Sequence, residues 1–261
     1  MNKWNVHKKL KYFLLLLNGI IFFCSQCMEI QKKEFILSKD FSITMSPIIK
    51  QAKSLVINHR LNKTDGKPFV AVAGCTAVGK SYFSEQLVHA LNKEKVKAAI
   101  LHLDDFMEPL AVKNPLFHPH LDYVKAHAVI QEILDGAISI VKPTWDLSGA
   151  EFFKTTNTLD LKDIDLIVFE GEFTLCDSDS YDFLKYSSLR ILMDAENDDL
   201  INWNWDRKRG IKEKTKEEFT TGVLRGLIHY RDHIAPTIKY AQYLVLQNKN
   251  HEYTLVEKNI I

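Results

Sequence analysis

Gly74-Cys75-Thr76-Ala77-Val78-Gly79-Lys80-Ser81 follows directly on the apolar run Phe69-Val70-Ala71-Val72-Ala73. The eight residues spell G-x-x-x-x-G-K-S. Behind them Phe83, Leu87 and Leu91 place one apolar side chain per helical turn. Strand, glycine-rich turn and helix are the setting a phosphate-binding loop requires. Glycines at both ends let the backbone curl until successive N–H groups point inward, and the helix start adds unpaired donors and the positive end of its dipole. The pattern predicts that all eight residues, Gly74, Cys75, Thr76, Ala77, Val78, Gly79, Lys80 and Ser81, wrap a nucleoside triphosphate. Lys80 is expected to reach the terminal phosphates and the Ser81 hydroxyl to hold Mg²⁺. Cys75, inside the loop, is expected to react with thiol reagents and to be shielded by ATP.

Working outward, apolar runs recur at Ala98–Leu103, Ile138–Val141, Leu166–Phe169, Leu189–Met193 and Tyr243–Leu246, separated by helical patterns. One helix is expected around Ile48–His59, entered through Pro47, another over Asp122–Leu134, and a charged helical region over Asp198–Tyr240. Near-continuous apolar strands alternating with helices predict an α/β fold with a mainly parallel sheet covered on both faces. Such sheets bind ligands at the carboxyl ends of their strands. The loop at Gly74–Ser81, the pair Asp104-Asp105 and Glu170 all fall at such ends.

The chain has 261 residues, room for one α/β domain and a short extension. Its 34 basic and 33 acidic residues give a formal net charge of +1, which argues against nucleic acid as a partner. Four cysteines are too few and too scattered for a disulfide framework, and the Cys24/Cys27 pair has no second pair or histidines to make a zinc site. Residues 1–37 form a separate segment ahead of a globular domain, 38–261. Within that segment Lys3, Lys8, Lys9 and Lys11 precede the apolar stretch Tyr12–Phe23, as in a secretory signal, yet no small-x-small cleavage site follows. An exported enzyme would lack ATP. Two readings remain: a membrane anchor with the domain in the cytoplasm, or a start assigned too early, with Met28 or Met45 as the true one.

Among phosphate-loop proteins a regulatory GTPase is the first competitor. Asn62-Lys63-Thr64-Asp65 matches N-K-x-D, but it precedes the loop instead of following it, so a polar turn is expected there. The order of the remaining motifs resembles the uridine kinase / phosphoribulokinase family. Leu101-His102-Leu103-Asp104-Asp105-Phe106 is similar to that family's strand ending in an aspartate with an aromatic two residues on. Lys142-Pro143-Thr144-Trp145-Asp146-Leu147 resembles its P-x-Y-D-F segment, Val168-Phe169-Glu170-Gly171 its V-x-x-E-G, and Ala235-Pro236-Thr237-Ile238-Lys239-Tyr240-Ala241 its late P-T-x-K-Y-A.

The resemblance spans about Phe69–Leu246 and implies a three-layer P-loop NTPase fold with a helical lid. It also implies an ATP- and Mg²⁺-dependent kinase acting on a hydroxyl of a small molecule, foremost a nucleoside such as uridine or cytidine. Asp104 then takes the proton of the acceptor hydroxyl, Glu170 holds Mg²⁺ through water, and Arg207 and Arg209 on the lid steady the moving phosphoryl group. Candidate acceptor contacts are Asp105, Phe106, His118, Asp122 and Trp145. The acceptor side departs from the nucleoside-kinase pattern: Phe117 stands where an aspartate precedes His-Pro, and Ser148-Gly149-Ala150-Glu151 carries no base-reading histidine or arginine. Pantothenate, glycerate or a sugar phosphate are therefore alternative acceptors, and a nucleotide sensor without turnover is the reading from another class. The oligomeric state, a homo-oligomer included, stays open.

Overall fold

The computed structural model describes residues 39–107, 121–146, 153–178, 181–208, 224 and 226–257. The chain divides into two compact units, Met1–Ser38 and Lys39–Ile261. All that follows concerns the second, and the basic and apolar N-terminal segment lies outside the described residues.

A six-stranded sheet organises this unit, built from β1 (Phe69–Gly74), β2 (Ala98–His102), β5 (Leu166–Glu170), β6 (Ser187–Ala195), β7 (Tyr243–Gln247) and β8 (Tyr253–Glu257) in the order β2-β5-β1-β6-β7-β8. The first five run parallel and β8 closes the edge antiparallel to β7. Every residue of β1 and β5 is buried, as expected of central strands covered on both faces. Phe69 and Phe169 meet edge to face at 6.2 Å between the two strands. Each such ring removed from water contributes roughly 1.5–3 kcal/mol.

Helices α1 (Lys39–Thr44), α2 (Ser46–Leu61) and α3 (Lys80–Lys93) lie along the sheet, with Pro47 in the first turn of α2. The apolar stripe of α3 is buried as its spacing predicts, through Phe83, Leu87 and Leu91. Phe83 also joins Phe41 of α1 and Tyr253 of β8 in an edge-to-face trio with centroids 5.5–5.8 Å apart. The N-K-x-D lookalike is a turn: Asn62 ends α2 and the Thr64 hydroxyl donates to the His59 carbonyl at 3.1 Å.

One element differs from the sequence expectation. The run at Ile138–Val141 does not enter the main sheet. It begins β3 (Ser139–Asp146), which pairs antiparallel with β4 (Phe153–Asp160) in a separate two-stranded sheet. The charged region after β6 is helical in its described parts, as expected. It starts as α5 (Asn197–Lys208), and its last described part tightens through a π turn (Tyr230–Ile234) into a 3-10 turn (Ala235–Tyr240), where Pro236 removes a donor. Helix α4 (Tyr123–Leu134) matches its predicted span. Among the described residues no helix is long and apolar enough to cross a membrane.

The hairpin β3–β4 is tied to the main body by a buried ion pair. Lys142 on β3 donates to Asp105, with side-chain exposures of only 9% and 13%. Lys142→Ala strands the Asp105 carboxylate, and unfolding in urea is expected to show a loss of about 3–5 kcal/mol. Replacing both partners by Met and Leu is expected to recover most of it, because no charge is then left buried alone. Equal losses in the single and double variants would contradict this account.

Candidate active site

The carboxyl ends of β1, β2 and β5 form one rim, and the phosphate-type loop occupies its centre. Gly74 has no room for a side chain, since a Cβ would meet the Met193 carbonyl at 2.6 Å. Gly79, at φ +82°, caps α3 without a side chain, so the first-turn N–H groups of α3 have no side-chain partner. Those amides and the helix dipole are what an anion requires. Lys80, 8% exposed, folds back so that its ammonium donates to the Cys75 carbonyl at 3.0 Å, which holds the charge over the loop.

Ser81 points across to β5. Its hydroxyl donates to Glu170 Oε1 at 3.1 Å, and His102 Nδ1 meets the same oxygen at 2.5 Å. Glu170 is 2% exposed, and burial pushes its carboxyl up. The His102 and Ser81 hydrogen bonds and the Lys80 ammonium outweigh that and hold it below the ordinary range. Burial alone would lower His102, yet the carboxylate beside it raises the imidazole above its usual value. The two shifts agree on an ion pair.

Asp104 sits on the 3-10 turn Leu103–Phe106 that follows β2. It is open to solvent by surface area, but enough protein surrounds its carboxyl to raise the pKa, with Glu170 and Glu172 adding to the rise and Lys80 opposing it. Lys80 and Glu170 are therefore within electrostatic reach of Asp104, at the same rim of the sheet. Glu172, two residues past Glu170, accepts a hydrogen bond from the Thr76 hydroxyl of the loop. Buried Asn204 on α5 donates to the Thr76 carbonyl at 3.4 Å and to the Leu200 carbonyl at 3.0 Å.

The expected reactivity of Cys75 is corrected. Burial, followed by the nearby Glu172 charge, pushes its thiol up to about 12, so the reactive thiolate is scarce at neutral pH. Of the candidate acceptor contacts, Asp105 is engaged by Lys142, and Phe106 is fully buried in the core. Asp122 caps α4 by accepting from the Lys125 amide at 2.9 Å. His118 and Arg209 lie outside the described residues. For Trp145 and Arg207 only the backbone is described, in β3 and α5.

Sequence reasoning missed His102, Glu172 and Asn204. It also missed a cavity of about 1050 Å³ beyond the loop, at the ends of β6 and β7, lined by residues including Asp194, Asn197, Tyr230, Arg231 and Asn248. That volume is ample for a small organic ligand.

A parallel sheet with a G-x-x-x-x-G-K-S loop at its rim and a carboxylate facing the loop lysine defines a P-loop phosphotransferase. Residues 69–253 match the model of the phosphoribulokinase / uridine kinase family, and the chain belongs to that family of small-molecule kinases. No curated protein sequence matches the chain.

Solved structures with the same fold include D-glycerate 3-kinase from Cryptococcus neoformans, with a TM-score of 0.61 and 13% identity over 82% of this chain and 99% of that one. Phosphoribulokinase from Rhodobacter spheroides aligns with a TM-score of 0.55 and 16% identity over 70% of this chain and 71% of that one. The YGR205w protein aligns with a TM-score of 0.58 and 14% identity over 83% and 99%.

Proposed function

We propose that the protein transfers the γ-phosphoryl group of ATP to a hydroxyl of a small molecule in the cytoplasm, with a nucleoside of the uridine or cytidine type as the leading acceptor. The observation that carries this reading is the convergence of Lys80, Ser81 and Glu170 at one rim, with Asp104 within reach of the Lys80 and Glu170 charges. A protein that only sensed nucleotide would have no need of Asp104 there.

The residues fit Mg²⁺. Among the described residues no group of three or more His, Cys, Asp or Glu side chains could hold a metal ion by itself. Mg²⁺ needs no such cage, because it keeps several waters and takes phosphate oxygens beside one or two protein oxygens. Ser81 and Glu170 would supply those oxygens, and bound Mg²⁺ would neutralise charge on the β- and γ-phosphates.

The loop amides and Lys80 then fix the triphosphate. Asp104 accepts the acceptor's hydroxyl proton while the acceptor oxygen bonds to the γ-phosphorus. The bond from that phosphorus to the β–γ bridging oxygen breaks, and ADP leaves. The cavity beyond β6 and β7 offers space for the nucleoside end of ATP. Arg207 and Arg209 are retained as the lid cations.

The test is an ADP-release assay with Mg-ATP across nucleosides, pantothenate, glycerate and sugar phosphates. Acceptor-dependent release with uridine or cytidine is the expected result. ATP binding without release for any acceptor would leave a sensor.

A further inference from the structure

We infer that Glu172 is an acceptor-binding residue, and that it selects an uncharged polyhydroxy acceptor, a nucleoside or a free sugar. The inference rests on the kinase reading and narrows its substrate class.

Glu172 stands on the turn after β5, half-buried, and the hydroxyl of Thr76 donates to its Oε1. Its field raises both Asp104 and Cys75. The carboxylate is thus anchored on the phosphate loop through Thr76 and lies within electrostatic reach of Asp104. Among the described residues its second oxygen has no hydrogen-bond partner. A carboxylate this close to a triphosphate site costs electrostatic energy, since it repels the donor. It is useful only to a group that donates hydrogen bonds.

A carboxylate accepts and never donates, so two neighbouring hydroxyls suit Glu172 and Asp104 together: one is gripped and the other loses its proton. An anionic acceptor would meet two negative charges. The described basic groups around these carboxylates are committed or held neutral: burial, then His233, keeps His229 beside Glu172 below its usual value. Lys80 serves the phosphates, and His102 pairs with Glu170. Lys142 is locked to Asp105. The position also answers the acceptor-side departure, where Phe117 replaces a hydroxyl-gripping aspartate.

The experiment compares nucleosides and free sugars with glycerate, pantothenate and sugar phosphates on the full chain with Mg-ATP. The best acceptor is then measured with Glu172→Gln and Glu172→Ala. The expected result is a neutral polyol as best acceptor, its KM raised about 10- to 100-fold by either substitution, and an unchanged KM for ATP. A deoxy analogue lacking the neighbouring hydroxyl is expected to be poor for the unaltered protein. For Glu172→Ala it is expected to be no worse than its parent, a coupling that lost packing alone would not produce.

Preference for an anionic acceptor overturns the inference while leaving the kinase reading intact. An unchanged acceptor KM, or an ATP KM that rises as much as the acceptor's, does the same. ATP binding with no ADP release from any acceptor overturns both.

Discussion

Asp104→Asn is expected to lower kcat by about 10²- to 10⁴-fold while ATP affinity holds. The amide keeps the shape of the side chain but cannot take a proton from an alcohol. Its environment sharpens the expectation. Burial and the charges of Glu170 and Glu172 raise the Asp104 pKa, and Lys80 only partly opposes them. In the unmodified protein kcat is therefore expected to fall on acidification already above the pH at which an ordinary aspartate titrates.

The linkage has a definite sign. A carboxyl whose pKa is raised on folding binds its proton more tightly in the folded state, so its stability contribution is present below the unfolded pKa and lost as pH rises through the folded one. At neutral pH Asp104 is thus a charge the fold tolerates at a cost, and Asp104→Asn is expected to melt at the same temperature or higher. Kinetics and thermal unfolding on one sample check both halves. A variant that loses ATP affinity as steeply as turnover would make Asp104 a metal or structural residue instead.

Lys80→Ala is the second large effect. The ammonium sits over the loop on the Cys75 carbonyl, 3.0 Å away, poised to move onto phosphate oxygens. Its removal deletes the cation that meets the charge shifting between the β- and γ-phosphates. Turnover is expected to fall on the order of 10²- to 10³-fold, with ATP affinity falling as well, in contrast to Asp104→Asn. Calorimetric titration with ATP beside steady-state kinetics separates the two patterns. Undiminished activity would remove the phosphate assignment of the loop.

The loop, its strand and its helix were legible because their requirements are local. A glycine is needed where the backbone meets Met193, another where φ turns positive, and an apolar stripe must follow. The buried parallel strands announced themselves as unbroken apolar runs. Strand β4 did not, because Phe-Lys-Thr-Thr-Asn-Thr-Leu-Asp is mostly polar and its described side chains are largely exposed, so its pairing with β3 alone makes it a strand.

The polar wiring of the site was equally hidden. His102 finds Glu170 across 68 residues, Thr76 finds Glu172 across 96, and Asn204 reaches Thr76 across 128. No local pattern encodes such partners. Cys75 differs from its sequence reading for a related reason: its place in the motif suggested access, while packing buries the thiol and pushes its pKa up.

Gly171 separates Glu170 from Glu172, and a methyl group on it would meet the Leu103 Cβ at 2.5 Å. Leu103 immediately precedes Asp104. Any larger residue at 171 would wedge the two crests of the rim apart, carrying Asp104 away from the carboxylates whose charge reaches it. If the proposed roles hold, the spacing across which a phosphorus atom changes hands is set partly by a missing carbon.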